Sequence, residues 1–132
     1  MTQASYGYTK NLGKMAFDDA VEKVTAALKE QGFGVLTEID VKATLKKKLD
    51  VDFRPYKILG ACNPTLANQA ISAVPDIGLL LPCNVLVRED ENGQVHVEFM
   101  DPGAVLGLVN DPQVDPLAAQ VREKLEIVMA AL

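Results

Sequence analysis

A chain of 132 residues with 48% apolar side chains and a formal charge of −5 has the size and composition of one globular domain with its own core. A chain of that length buries roughly two thirds of its unfolded surface, so it needs neither disulfides nor a metal to fold, and disorder is expected only in the first four or five residues. The acidic balance, 18 Asp and Glu against 13 Lys and Arg, weighs against nucleic acid as a partner, because phosphate recognition draws on a basic face.

Ser5 to Leu12 reads as a first strand. From Met15 to Gln31, the residues Phe17, Ala20, Val21, Val24, Ala27 and Leu28 recur at three- and four-residue steps and line one helical face. Asp18 and Asp19 fall in its first turn, where the helix dipole favours anions, and Gly32 is placed to end it. Phe33 to Ile39 follows as a second strand. Asp40 is placed to cap a short helix with Val41, Leu45 and Leu49 on one face. Lys42, Lys46, Lys47 and Lys48 then form its solvated side. No aromatics interleave with them as base-stacking platforms would require.

Tyr56 to Cys62 is short and apolar enough for a third strand. Asn63 is a favoured N-cap residue and Pro64 suits the first helical position, so a helix is expected to begin there. Leu66, Ala67, Ala70, Ile71 and Val74 form its apolar stripe, and Pro75 stops it. Asp76 to Pro82 reads as a loop leading into a fourth strand, Cys83 to Glu89. Asn92-Gly93 signals a hairpin of the type I′ kind, which needs positive φ at both residues. In the return strand Val95, Val97 and Phe99 face one way, His96 and Glu98 the other. Asp101-Pro102 and Asp115-Pro116 repeat the cap-then-proline pattern, and the second opens a terminal helix carrying Leu117, Val121, Leu125, Val128 and Leu132.

The order βαβ-α-β-α-ββ-α-α predicts a single α+β domain over residues 1–132, with helices on one face of a sheet. In the third strand Leu59 and Ala61 oppose Ile58, Gly60 and Cys62, so both faces carry apolar residues. Isologous pairing through the sheet face would cover the second set, and a homodimer is the expectation.

Motifs for phosphate loops, nucleophile elbows and zinc spacings are absent. Asp18-Asp19 and Glu89-Asp90-Glu91 sit at a helix start and a hairpin shoulder, both solvated positions. His96, the one histidine, alternates onto the polar side of its strand and reads as a surface residue. No catalytic set, metal or cofactor is therefore expected, and the balance leans away from an enzyme. The stretch MTQASYGYTK lacks the charged start and apolar run of a secretory signal. The longest apolar run, Ile77 to Leu81, is far short of a membrane span. A cytoplasmic protein without a membrane partner is expected, its two cysteines resting as thiols.

Several stretches together resemble one family. Gly32-Phe33-Gly34-Val35-Leu36-Thr37-Glu38-Ile39-Asp40 is similar to its GFGV…EID segment, Ile58-Leu59-Gly60-Ala61-Cys62-Asn63-Pro64 to its ILGACNP motif, and Leu80-Leu81-Pro82-Cys83-Asn84-Val85 to its LLPCNV motif. Asp101-Pro102 falls where its acidic-proline pair belongs. This is the DUF302 family, also called TT1751-like. The resemblance implies a TBP-like fold, a curved antiparallel sheet of about five strands backed by helices, in proteins that are often dimeric. It supplies no reaction.

The two cysteines mark the candidate site. Cys62 directly precedes a capped helix start, where partial positive charge favours a thiolate, and Cys83 begins a strand after Pro82. If the two strands pair near those ends, Cys62, Asn63, Pro64 and Cys83 converge. A small ligand or partner could then be held there, its anionic group on the helix N-terminus. Alternatively Cys62 attacks and Cys83 resolves in thiol redox or sulfur handling. Both sulfurs could equally be core packing.

Overall fold

In the computed structural model, which describes residues 2–132, local sequence signals decide where each element starts and stops. Strands β1 (Thr2–Ala4) and β2 (Gly7–Gly13) precede helix α1 (Phe17–Glu30), strand β3 (Gly34–Asp40), helix α2 (Val41–Leu49) and strand β4 (Tyr56–Cys62). Helix α3 (Pro64–Ala73) then leads through a 3₁₀ segment, Pro75–Leu80, into strands β5 (Cys83–Glu89) and β6 (Val95–Met100). Helix α4 (Pro102–Leu106), a 3₁₀ turn at Gly107–Val109 and helix α5 (Asp115–Ala130) complete the chain. No helix among the described residues is long and apolar enough to cross a membrane.

The expected α+β class is found, with one antiparallel sheet backed by helices. Its order is β1-β2-β6-β5-β4-β3. Five long strands match the expected number. The sixth, β1, pairs Thr2 with Thr9 and Ala4 with Gly7 and is not among the expected elements. The apolar alternation fixes which face is covered. Leu59 and Ala61 of β4, Val85 and Val87 of β5, and Val95, Val97 and Phe99 of β6 are buried. They pack against Ala20, Val24 and Leu28 of α1 and Leu117, Val121, Leu125 and Val128 of α5. The other face is bare. Across it Arg88 Nε lies 2.6 Å from Glu98 Oε2, and Thr9 Oγ1 donates to Glu98 Oε1 at 2.9 Å.

Helix α1 ends in a paired backbone motif. Gly32 N–H donates to Lys29 O and Phe33 N–H to Leu28 O, both at 3.0 Å, with Gly32 at φ +82°. This is a Schellman arrangement, and the buried Leu28 and Phe33 supply its customary apolar contact. Two of the expected side-chain caps are at α2 and α3: Asp40 accepts from Ala43 N–H at 2.9 Å, and Asn63 from Leu66 N–H at 3.2 Å.

Four expectations are corrected. Asp76 to Pro82 is not simply a loop, because Pro75 starts a 3₁₀ segment that buries Ile77. Asp101 caps α4 through Gly103 N–H at 2.9 Å, but Asp115 does not repeat the pattern. The residue before α5 is Val114, which offers no capping side chain, and Asp115 is already helical. The β5–β6 hairpin is tight, yet not type I′: only Gly93 has positive φ, at +77°. Asp90 N–H bonds Gln94 O, and Gly93 N–H bonds Asp90 O, the pattern of a type I turn followed by a left-handed glycine. The Asp90 carboxylate organises the loop, accepting from Asn92 N–H at 2.9 Å and Gln94 N–H at 3.0 Å while its second oxygen meets His96 Nε2 at 2.8 Å. His96 is therefore not a freely solvated side chain. Its side chain is only 15% exposed, and its Nδ1 is buried without a partner.

Two measurements test these local devices. Asn63→Ala removes the α3 cap and is expected to lower unfolding stability by about 1 kcal/mol in a denaturant titration. The bond to His96, with the loop N–H groups, depresses the Asp90 pKa from 3.8 to about 2. A lowered folded-state pKa stabilises the protein above the unfolded value and ceases to do so as pH falls through the folded one. The melting-temperature gap between the wild type and Asp90→Asn should therefore narrow as the pH falls from about 4 to 2.

Candidate functional site

Where β4 stops and β5 starts, the end of the sheet opens into a cavity of about 310 Å³. Its walls come from six places in the chain: Phe33 after α1, Leu36 and Thr37 of β3, Ala61 to Asn63, the inner face of α3, Leu81 to Cys83, and Leu106, Leu117 and Val121 from the last helices. Leu36, Thr37, Ile71 and Pro82 are lining residues that remain exposed, and they mark the mouth.

Local geometry explains why these segments meet here. Residue Leu36 is a β-bulge: Val35 pairs with Ala61 and Thr37 with Gly60, leaving Leu36 unpaired between them. Gly60 is buried beneath Thr37 and Pro82. A Cβ placed on Gly60 would lie 2.5 Å from Thr37 Oγ1 and 2.9 Å from Pro82 Cγ, so only glycine lets β3 and the lead into β5 close over β4. The Leu81–Pro82 peptide is cis. A Cβ on Gly32 would likewise come within 3.2 Å of Asn63 Nδ2, so the end of α1 and the start of α3 are in close contact.

Of the four expected site residues, three border the cavity: Cys62, Asn63 and Cys83. Pro64 does not line it and serves as the first residue of α3. Asn63 spends its carbonyl oxygen on the helix cap. Cys83 is buried, and burial, with Cys62 as a second cause, raises its pKa to about 11. It therefore stays protonated at neutral pH. Cys62 is half-buried. Both thiols are free, and the register shows how they stand. Cys83 pairs with Ala61, one residue before Cys62. Because side chains alternate across a strand, Cys62 and Cys83 leave the sheet on opposite sides, whereas a disulfide needs Cβ atoms about 3.5–4.5 Å apart.

The remaining lining is hydrocarbon. Thr37 and Asn63 are the lining residues with polar oxygen or nitrogen side chains, and no carboxylate, lysine, arginine or histidine is among them. No group of three His, Cys, Asp or Glu side chains suited to a metal ion occurs among the described residues. Phe33, Thr37, Leu106 and Val121 were not anticipated as site residues. Phe33 and Thr37 fall inside the GFGV…EID stretch, while Leu106 and Val121 show only as apolar helix positions.

A second cluster lies elsewhere. Asp101 is a charged residue buried in the core. It accepts from Tyr8 OH at 3.3 Å and from Gly103 N–H at 2.9 Å, with Arg122 Nε 3.9 Å away. The Arg122 guanidinium sits 5.5 Å from the centre of the Tyr8 ring. Burial and the Asp101 charge raise the Tyr8 pKa. Every oxygen of Asp101 faces a protein group, which fits a structural clasp.

The Gly60 contact gives a direct test. Gly60→Ala is expected to destabilise the fold by about 1–3 kcal/mol through overpacking. Adding Thr37→Ala should recover part of that loss in thermal melts, because it removes the nearer clash.

Comparison with known proteins supports the same architecture. A crystal structure of an uncharacterized conserved DUF302 protein from Bacillus stearothermophilus superimposes with a TM-score of 0.87 at 29% identity, covering 97% of this chain and 98% of that one. A search of curated proteins returns no match. The model of the domain of unknown function DUF302 matches residues 8–132, and with nearly the whole chain covered, the protein belongs to the DUF302 family.

Proposed function

We propose that this domain is a homodimeric module that binds a small, uncharged, largely apolar molecule in the cavity at the end of the sheet. The observation that carries the reading is the lining: hydrocarbon from the floor to the exposed mouth, with two thiols, one threonine and one asparagine as its polar content. An ionised ligand would lose its hydration there without gaining a counter-charge, a cost of several kcal/mol. This replaces the expectation of an anion on the α3 N-terminus, where Asn63 already occupies Leu66 N–H. In size, about 310 Å³ is roughly twice the ~150 Å³ cavity that takes up benzene. It suits a bicyclic aromatic or a medium-length aliphatic chain.

The polar groups at hand set orientation rather than reactivity. Thr37 stands at the mouth and offers a hydroxyl to a ligand oxygen, and Cys62 offers a weak S–H donor. Thiol redox chemistry draws less support: the strand register sends the two side chains to opposite sides of the sheet, and Cys83 is held as the protonated thiol. Dimerisation is supported by the end strand β3, which is hydrogen-bonded on one side only and exposed from Leu36 to Asp40. Free thiols suit a reducing compartment, and the cytosol is the location we assign.

The test is titration with N-phenyl-1-naphthylamine, an uncharged fluorophore that brightens in apolar sites. Saturable binding is expected in the wild type. Ala67→Phe, which projects a ring into the cavity from the half-buried face of α3, should weaken that binding at least tenfold while leaving the melting temperature unchanged or raised. Absence of saturable binding, or equal binding by Ala67→Phe, would overturn the reading.

A further inference from the structure

We infer that two copies of this chain pair edge to edge through β3, and that helix α2 of each copy closes the mouth of the other copy's cavity. The inference rests on the reading of the cavity as a binding site and adds what completes it.

Three independent features meet at this edge. First, β3 is an end strand of the sheet, hydrogen-bonded to β4 on one side only, and every residue from Leu36 to Asp40 is exposed. Proteins ordinarily cover or blunt such an edge because its free N–H and C=O groups template another strand. Second, α2 buries no side chain. Its C-terminal turn and the segment beyond leave Leu49 65% and Val51 43% exposed, an apolar surface open to solvent, while Phe53 packs edge-on against Tyr56. Third, charge is segregated. Residues 41–54 hold five basic and two acidic side chains, and the rest of the chain holds eight basic and sixteen acidic. The α2 segment of one copy is therefore attracted to the body of another, which argues for a second copy as the occupant over an uncharged surface.

Strand direction then decides what each α2 meets. β3 runs from the cavity mouth, at Leu36 and Thr37, to Asp40, and α2 begins at the next residue. A two-fold axis pairs strands antiparallel, so the end of β3 that carries the partner subunit's α2 lies beside the mouth end of the first copy. A register centred on Thr37 sets that residue opposite its own copy. It places Glu38 opposite Leu36 and Asp40 opposite Gly34, so no two carboxylates face each other. The exposed Leu36 at the mouth then has an apolar neighbour in Leu49 or Val51 of the partner subunit, and the ligand site is complete only in the dimer.

Light scattering and fluorophore titration of the full chain test this together. The wild type at micromolar concentration should have the mass of two chains. The double variant Leu49→Lys/Val51→Lys alters only exposed or half-exposed side chains, so its circular dichroism should be unchanged. Its mass should fall to one chain, and N-phenyl-1-naphthylamine should bind at least fivefold more weakly. Ile39→Lys, on the edge strand itself, should do the same without touching α2 or the cavity wall. A monomeric wild type would overturn the pairing, even where saturable, Ala67-dependent binding leaves the cavity reading intact. A dimer unaffected by both variants would overturn the β3 interface, and loss of the dimer with unchanged fluorophore affinity would overturn the closing role of α2.

Discussion

The close approach of three chain segments over Gly60 is the constraint from which the rest of this site follows. A side chain at that position would collide with Thr37 on one side and Pro82 on the other, so the glycine sets how near β3 and the start of β5 come to β4. That nearness brings Thr37, Cys62 and Cys83 around one hollow. The bulge at Leu36 acts with it. An extra residue in β3 releases Leu36 from the ladder and places an apolar side chain at the mouth, where regular pairing would have kept it in the pleat. Beside them, the Gly32 turn and the Asn63 cap bring the end of α1 against the start of α3.

Beside the cavity, at the same end of the sheet, the chain is held by polar rather than apolar means. Asp101 joins β2 through Tyr8, the turn before β2 through its N–H to Tyr6 O, α4 through Gly103 and α5 through Arg122. A buried carboxylate with bonded oxygens and a nearby guanidinium is costly to desolvate but specific in geometry. It orients α5 so that Leu117 and Val121 reach the cavity at one end while Leu125 and Val128 fill the core at the other. A polar clasp thus stands beside open hydrocarbon at one end of the sheet.

What the sequence discloses follows from how local each cause is. The caps at Asp40 and Asn63, the end of α1 at Gly32, the α5 stripe and the buried face of β4 depend on residues within a few positions of one another, and they are legible. Strand ends and the family motifs point to Cys62, Asn63, Pro64 and Cys83, of which all but Pro64 border the cavity. The type of the β5–β6 turn is not legible, because the pattern Asn-Gly is compatible with two turns and Asp90 decides between them through its side-chain bonds. His96 was misread for the same reason: alternation gives its face, but only the returning loop brings Asp90 over it. Thr37, Leu106 and Val121 come to the cavity from strands and helices far apart in the chain. Their partners are set by packing, which carries no short-range signature. The apolar character of the lining appears only when all six segments are assembled.

The cavity also has an energetic meaning. Empty apolar space in a protein interior costs about 24 cal/mol per Å³, so a sealed void of about 310 Å³ would cost on the order of 7 kcal/mol. That is comparable to the whole stability of a typical domain. Opening the void at a mouth avoids part of this cost, but exposes Leu36, Ile71 and Pro82 to water instead. Larger side chains at Ala61, Ala67 or Ala70, three of the lining positions, would remove the cost directly, and small residues stand at all three. A hollow kept open by three alanines and a glycine-dependent strand approach is therefore maintained against the packing forces that shape the rest of the core. Apolar contacts from an occupant would recover what the packing of this chain alone leaves unused.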